Sequence, residues 1–399
     1  MKKILKYIGK QFKDTDKILL VLTILYAIIG IFLILSASSI TSKLSFGTPY
    51  YYFKKQIISV GIALVFGIII MCFFPTRTYG FIGKWGGIAL TCVLLGIMVN
   101  NFGFESGNAE VTINLGGISL QPAEFIKVIL ILFLGCSYYD YSKKDKHKKF
   151  DFILPILWCI IPAAFIFLGG DKGSFVIIAV LVALIFLFVP TNDKNYKTCK
   201  IIVGTILVVC FILLEFAFKL VPESCDSYIC NRLRFTNPCD KYTSDSGYQV
   251  CNGFIAIDSG GLWGVGIGNS TQKYLYLPAS HTDFIFPIIV EEMGVIVALL
   301  ILVGYMIISY RIFDIAVKSY NLRNSLICFG VGIYFLLHIF VNLGGVLGLI
   351  PLTGIPLPLL SCGGSSVLSM FAAFGVVQRV AIENNLTKRK KEIKKITGA

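Results

Sequence analysis

The sequence has little charge for its length. Only 15% of its 399 residues are charged, whereas 56% are hydrophobic and the mean hydropathy is +0.79. A water-soluble chain of this length would need far more charge to cover its surface. Because a helix of roughly 20 apolar residues crosses a bilayer core, the long apolar runs predict an all-α polytopic membrane protein.

Several motifs of soluble enzymes are missing. The three histidines, His147, His281 and His338, are far apart in the sequence, which argues against a catalytic zinc site. There is no Gly-x-Ser-x-Gly elbow and no phosphate-binding Walker loop. The glycine-rich run 260–268 superficially resembles a dinucleotide fingerprint, but it follows no soluble strand, so close backbone approach explains its glycines better. No internal repeat is visible, so an inverted-repeat transporter gains no support.

The net charge is +14, and most of the basic residues lie in short segments that flank the apolar runs. These segments are 2–13, 143–149, 194–200, 311–323 and 388–395. None combines basic residues with stacking aromatics in a soluble module, so we expect no nucleic-acid partner. The positive-inside rule instead makes them cytoplasmic segments of a protein of the bacterial cytoplasmic membrane.

About ten membrane-spanning helices are predicted within one membrane domain, 1–399. The spans are 17–40, 56–74, 81–99, 122–139, 152–170, 173–190, 201–220, 284–309, 325–346 and 363–382. The first is too long for a cleaved signal peptide. An even number places both termini, 1–16 and the basic tail 383–399, in the cytoplasm. The segments 41–55, 100–121, 170–173, 221–283 and 347–362 are then external. Of these, 221–283, between spans seven and eight, is a large external loop, and long loops are often functional.

Ionisable residues near apolar spans are costly and therefore usually functional. Asp283 lies where the large loop enters the eighth span. Glu291 and Glu292 lie about two turns deeper, and Glu291, eight residues from Asp283, is on roughly the same face. For Asp283 the alternative is a helix N-cap at the interface. Glu124 and Lys127 are spaced to form an ion pair, which has either a structural or a substrate-binding role.

The segment 347–362 is rich in proline and glycine, which indicates either a partly re-entrant cavity wall or an ordinary tight loop.

Four of the twelve cysteines, Cys225, Cys230, Cys239 and Cys251, fall within the large external loop. Disulfides persist outside the cytoplasm, so the four predict two bridges that hold the loop over the site. Three pairings are possible, and the sequence does not choose among them. The alternative is four free thiols.

Two long blocks of motifs carry a resemblance to a known family. The first contains Tyr248–Gln249, Gly260–Gly261–Leu262, Gly266–Ser270, Gln272–Lys273, Tyr276–Leu277–Pro278, His281–Phe286 and Glu291–Glu292. The second contains Asn342–Gly344, Leu347–Pro351, Thr353–Pro358 and Ser361–Ser366. With Ser36–Ser38 and Gln121–Lys127, they make nearly the whole chain similar to the SEDS family (FtsW, RodA, SpoVE). Asn269–Ser270 with Gln272–Lys273 resembles the division branch (FtsW, SpoVE) more than the elongation branch (RodA).

The chain departs from the family pattern at three places. Val111 and Thr112 stand where the family usually has an Arg-Trp pair, which puts a role for that pair in doubt. The usual Gln-Pro-Asp-Leu-Gly-Thr turn is replaced by Gly169–Ser174, which keeps its Asp and Gly. Cys362 replaces a usual tyrosine. The residues around Asp283 match the family.

The resemblance implies a peptidoglycan glycosyltransferase that polymerises lipid II, a disaccharide peptide on undecaprenyl pyrophosphate, in division or cell-shape wall synthesis. Asp283 would be the essential carboxylate, either as the base or as ligand of a divalent cation, Mg²⁺ or Mn²⁺. The other expected substrate-binding residues are Lys54, Lys55, Glu124, Lys127, Arg232, Arg234, His281, Thr282 and Glu292. The partner would be a class B penicillin-binding protein. A lipid II flippase and a non-catalytic division scaffold are the alternatives.

Overall fold

The apolar runs form long helices, as the sequence predicts. The computed structural model describes residues 2–101, 113–115, 118–143, 150–220, 238–239, 245–277 and 280–397. The helices are α1 (Lys2–Lys13), α2 (Lys17–Phe46), α3 (Tyr51–Phe73), α4 (Tyr79–Asn101), α5 (Pro122–Ser142), α6 (Leu154–Leu168), α7 (Lys172–Phe188), α8 (Lys194–Leu220), α9 (Asp245–Gly260), α10 (Ile285–Val317), α11 (Leu322–Val346) and α12 (Gly364–Thr397). Strands β1 (Ile113–Leu115) and β2 (Ile118–Leu120) form a small antiparallel hairpin before α5.

The all-helical polytopic fold class is confirmed. Every predicted span coincides with one of the helices α2 to α8 or α10 to α12, and eight of these are long and apolar enough to cross a membrane. Helices α6 and α7 are apolar but have only 15 and 17 residues, fewer than the roughly 20 that cross a bilayer upright. The number of crossings and the side of the termini stay predictions.

Several helices are longer than their predicted spans. Helix α2 continues to Phe46 and α3 already begins at Tyr51. Lys54 and Lys55 therefore lie in the first turns of α3 and not in a loop. The basic tail is also helical, because α12 continues to Thr397. Lysine, arginine and glutamate are good helix formers, so a helix extends past the point where its sequence stops being apolar.

The centre of the bundle is built on α12. Its most apolar window is 83% buried, whereas that of α8, which packs on α7 at the periphery, is only 6% buried. Helix α12 crosses α3 closely where two glycines meet. A Cβ added to Gly375 would lie 2.6 Å from the carbonyl oxygen of Gly67, so any side chain there would separate the two backbones. Small residues at crossings are typical of membrane helix pairs.

The chain between α11 and α12 is not helical, and neighbouring helices satisfy its carbonyl groups. The hydroxyl of Tyr305 donates to the Pro358 carbonyl at 2.5 Å, and the amide of Asn342 donates to the Ile355 carbonyl at 2.8 Å. The segment also packs against Gly30 of α2 and Gly173 of α7. Irregular backbone at membrane depth requires such buried partners, which agrees with the re-entrant interpretation of 347–362.

Helix α10 is interrupted at Gly294, whose φ of 83° and ψ of 165° are not helical. The preceding loop approaches at this break, because a Cβ on Gly294 would collide with the backbone of Leu262 and Trp263. The close backbone approach agrees with the prediction made for the glycines of the run 260–268, whereas the break in α10 was not predicted from the sequence.

Helix α9 lies inside the segment predicted as the large external loop and packs on the start of α10. A Cβ on Gly253 would lie 3.3 Å from the Phe284 ring. A disulfide joins Cys251, near the middle of α9, to Cys239. Of the three pairings of the four loop cysteines, this bridge leaves only the one that joins Cys225 to Cys230, and those two cysteines lie outside the described residues.

We expect peptide mapping of non-reduced, alkylated protein to recover Cys239 linked to Cys251, because α9 holds Cys251 next to Cys239. The predicted second bridge would then appear as Cys225 linked to Cys230. The eight cysteines that the structure describes as free serve as the internal control and should carry the alkylating label. Recovery of labelled Cys239 and Cys251 from protein matured under oxidising conditions would contradict the pairing.

Candidate functional site

Asp283 lies in the turn just before α10 and is half-buried. The Thr282 hydroxyl donates a hydrogen bond to Oδ1 of Asp283 at 2.9 Å. The N-cap residue of α10 is Phe284, and no side chain makes a capping hydrogen bond there among the described residues. Asp283 is therefore not the N-cap of α10 in this structure.

The backbone at Asp283 is braced by Asn342 of α11. The Asn342 amide donates both to the Asp283 carbonyl at 2.7 Å and to the Ile355 carbonyl at 2.8 Å. Next to Ile355, Gly354 has a φ of 72°, and a Cβ added to it would lie 4.0 Å from Oδ2 of Asp283. One amide group thus fixes the turn that carries Asp283 against the segment between α11 and α12.

His281 joins the same site from the other side of Thr282. Its ring lies 4.3 Å from the Tyr52 ring of α3, and its carbonyl accepts from the Cys362 amide at 2.8 Å. Burial lowers the pKa of His281 to about 4, so the imidazole is neutral at neutral pH. Its Nδ1 is buried and finds no hydrogen-bond partner among the described residues, which leaves a polar atom for a ligand.

Lys54 and Lys55 follow Tyr52 on α3 and so lie on the same side of the protein as His281. Lys54 is exposed and Lys55 is half-buried. Burial raises the pKa of the Cys362 thiol to about 11, and the positive charge of Lys55 partly opposes that rise. This effect places Lys55 near Cys362, whose amide binds the His281 carbonyl. Through Tyr52 and Cys362, the start of α3 thus lies next to His281, two residues before Asp283.

The two glutamates of α10 do not face the same space as Asp283. Glu292 forms a buried ion pair with Lys273 at 3.1 Å and accepts from the Ser36 hydroxyl at 2.7 Å. Glu291 accepts from the backbone and hydroxyl of Thr271 at 2.8 and 2.9 Å. Both carboxylates hold the loop before Asp283 in place. Glu292 thus helps to hold this loop, and its predicted role in substrate binding stays a prediction.

Glu124 and Lys127 form the predicted ion pair, with Nζ and Oε1 2.5 Å apart and both side chains buried. The pair belongs to a larger cluster. The Tyr334 hydroxyl donates to Glu124 at 3.3 Å, and Lys127 lies 3.3 Å from Nε2 of His338. The His338 ring also lies near the Pro356 carbonyl. The cluster therefore supports the segment that packs on Asp283 and does not touch Asp283 itself.

Three residues that matter here, Tyr334, His338 and Asn342, were not predicted as site residues. They recur every fourth position along α11, so they form one polar stripe on an apolar helix. That periodicity was the signal that could have identified them. The stripe connects the buried Glu124 cluster with the Asp283 turn.

Part of the predicted site lies outside the described residues, namely Arg232, Arg234, Val111 and Thr112. Among the described residues no three His, Cys, Asp or Glu side chains are grouped to hold a metal ion. The described helices also enclose an apolar cavity of about 270 Å³ between α4, α5 and α6. None of the candidate site residues lines it, so it is unrelated to Asp283.

Comparison with known proteins gives consistent matches over nearly the whole chain. The family model of the FtsW, RodA and SpoVE cell cycle proteins matches residues 16–386. A probable peptidoglycan glycosyltransferase FtsW of Bacillus subtilis is 32% identical over 96% of this chain and 95% of its own length. The stage V sporulation protein E of the same organism is 29% identical over 92% of this chain and 96% of its own length.

Solved structures show the same fold. The structure of a peptidoglycan synthase complex that coordinates polymerisation and crosslinking contains a chain that matches with a TM-score of 0.69 and 22% identity, over 93% of this chain and 98% of that one. The rod shape determining protein RodA of Thermus thermophilus matches with a TM-score of 0.63 and 21% identity, over 92% of this chain and 96% of its own. The chain belongs to the FtsW, RodA and SpoVE family of cell cycle proteins.

Proposed function

We propose that this protein is a peptidoglycan glycosyltransferase that polymerises lipid II at the outer face of the cytoplasmic membrane. The observation that carries the proposal is a half-buried carboxylate, Asp283, held in a braced turn with Thr282 and with His281, whose ring contacts Tyr52 of α3. The curated relatives of the FtsW type are named peptidoglycan glycosyltransferases. Those names support the same reaction.

The position of Asp283 along α10 suits a lipid-linked substrate. Arg311, near the other end of α10, pairs with Asp16 and Asp314 and marks a polar boundary. Asp283 lies two residues before Ile285, where α10 begins, and from Arg311 to Ile285 the helix rises about 39 Å at about 1.5 Å per residue. This length exceeds the roughly 30 Å of a hydrocarbon core, so it carries Asp283 to the level of the lipid headgroups. A pyrophosphate-linked sugar is presented at that level.

The reaction needs a base at the attacking sugar hydroxyl and positive charge at the departing pyrophosphate. The Asp283 carboxylate would accept the proton of the sugar hydroxyl while the hydroxyl oxygen attacks the anomeric carbon. Lys54 and Lys55 would stabilise the negative charge that develops on the leaving pyrophosphate. His281, whose imidazole is neutral and has an unpaired Nδ1 among the described residues, would hydrogen-bond the substrate.

The expected substrate and partner follow from the family. Lipid II supplies the pyrophosphate leaving group that the cations suit, and a class B penicillin-binding protein would crosslink the product. The chain in the matching synthase complex comes from an assembly of polymerisation and crosslinking activities, which supports such a pairing. The FtsW and sporulation relatives favour a role in division-type wall synthesis.

Replacing Asp283 with asparagine should abolish polymerisation of purified lipid II, because the amide keeps the shape of the side chain but accepts no proton. Glycan chains made by matched amounts of each variant would be resolved on gels. Asp258→Asn, which alters an exposed carboxylate of α9, is the matched control and should remain active. Near-normal chain synthesis by Asp283→Asn would overturn the catalytic assignment.

A divalent cation fits this site only as a bridge to the substrate. Asp283 is one carboxylate, and Mg²⁺ commonly combines one or two protein carboxylates with water and substrate phosphates. Mn²⁺ prefers the same oxygen ligands. The ion would neutralise the pyrophosphate charge.

Chelation of divalent cations should therefore lower polymerisation by the wild-type protein, and added Mg²⁺ or Mn²⁺ should restore it. Isothermal titration of the cation against protein with and without lipid II gives a readout besides activity, because binding should require the lipid. Full activity after chelation would remove the cation from the proposal and leave the role of Asp283 as a base intact.

The transporter alternative would use buried charges along a path through the bundle. In the described part of the chain the buried Glu124, Lys127, Lys273 and Glu292 are instead closed into two ion pairs. We infer a structural role for both pairs. Removal of one partner of a buried pair typically costs about 3–5 kcal/mol, because the other charge stays buried without compensation.

Exchanging the charges of the first pair tests that role. Glu124→Lys and Lys127→Glu should each lower the unfolding temperature and activity, and the double exchange should recover much of both. Thermal unfolding and polymerisation would be measured on the same preparations. A double variant that unfolds like the wild type but stays inactive would show that Glu124 or Lys127 contacts substrate.

A further inference from the structure

The loop between α9 and the Asp283 turn carries a run of exposed apolar side chains. Leu262, Trp263 and Ile267 are 62%, 80% and 74% exposed, and Val265 is also exposed. No charged residue occurs between Gly260 and Gln272, and Lys273 is buried in its ion pair. A solvated loop would expose polar side chains, so this run needs an apolar environment.

The backbone of this run is inserted into the hydrogen-bond ladder of α10. In a regular helix the amides of Val295 and Ile296 would donate to the carbonyls of Glu291 and Glu292. At the break, those amides donate instead to Gly261 and Leu262, at 3.0 and 3.4 Å.

The carbonyls released by the break also receive partners from the loop. The amide of Val265 donates to the Glu291 carbonyl at 2.8 Å, and the amide of Gly266 donates to the Glu292 carbonyl at 3.0 Å. The loop thus supplies hydrogen-bond partners for these two amides and two carbonyls of α10. Irregular backbone is tolerated at membrane depth only with such internal partners.

The break lies at the depth of the hydrocarbon core. From Arg311 to Gly294, α10 rises about 25 Å at about 1.5 Å per residue, which is less than the roughly 30 Å of the core. The run that surrounds Gly294 therefore lies inside the leaflet on the Asp283 side. Tyr274 and Tyr276, exposed further along the loop, suit the adjacent headgroup interface, where tyrosine is enriched.

We propose that the run from Gly261 to Ile267 is a re-entrant membrane wedge whose exposed side chains contact the acyl chains of that leaflet. The first part of α10, Ile285 to Met293, connects the wedge with the Asp283 turn. Since this part is about 13 Å long at about 1.5 Å per residue, the wedge fixes the height of Asp283 above the hydrocarbon core. This inference concerns lipid contact and does not depend on the proposed reaction.

Depth-dependent quenching of tryptophan fluorescence tests the wedge. The chain has three tryptophans, so Trp85→Phe with Trp158→Phe leaves Trp263 as the single reporter. The variant would be reconstituted into bilayers that contain lipid brominated near the carbonyl end or near the methyl end of the chain. Trp263 should lose most of its emission to the shallower bromines, less to the deeper ones, and almost none to aqueous iodide.

Two variants without native tryptophans calibrate the measurement. Leu300→Trp lies on the exposed apolar face of α10 and should be quenched by lipid, whereas Ile396→Trp, on the charged end of α12, should be quenched by iodide. If the single-tryptophan variant folds poorly, the wild-type protein compared with Trp263→Phe gives the same answer by difference. Quenching of Trp263 by iodide alone would overturn the wedge, and so would protection from both quenchers, since it would mean a protein contact.

Discussion

The structure depends on one constraint, which is that a peptide group at membrane depth must find its hydrogen-bond partner within the protein. Helix α10 loses regular helical hydrogen bonds at Gly294, and backbone groups of the loop 261–266 replace the missing partners. Glycine is needed in the loop at Gly264 and at the break itself, Gly294, because a Cβ at either position would collide with the opposing backbone. The side chains of Glu291 and Glu292 then fix the rest of the loop through Thr271 and Lys273. Together these contacts determine the path of the chain that leads to Asp283.

A second irregular segment contacts the Asp283 turn, and its backbone also finds hydrogen-bond partners within the protein. The segment between α11 and α12 is irregular, and side chains complete its carbonyl groups: Tyr305 for Pro358 and Asn342 for Ile355. Because Asn342 also binds the Asp283 carbonyl, the two irregular segments meet at a single amide group. The buried pair of Glu124 and Lys127 is connected to this junction by the polar stripe of α11, which consists of Tyr334, His338 and Asn342. The ion pair therefore acts mainly by holding these side chains in position, since a buried ion pair contributes little net stability but is costly to break.

The sequence predicted the fold class and the motif around Asp283, because apolar runs and long motifs are local signals. It did not predict the helix break, since Gly294 is one glycine among several and its meaning depends on a loop about thirty residues earlier in the chain. The buried pair of Glu292 with Lys273 was not predicted either, since the two residues are 19 positions apart in the sequence and only the fold brings them together. The predicted loop 41–55 was too long, because tyrosines and lysines at Tyr51 to Lys55 continue a helix as readily as they form a loop.

Asp283 combines a rigid backbone with a carboxylate that stays half-exposed, and the two features have different origins. Its carbonyl is held by Asn342, whereas Oδ1 accepts from the neighbouring Thr282. The base proposed here would have to keep its position while its charge changes, and fixing the backbone contributes to that positioning. The first part of α10 carries Asp283 at one end and the loop splice at the other. Any shift of this short helix would therefore move the carboxylate, the loop and its apolar run together, so the reaction proposed for Asp283 depends on how α10 is anchored.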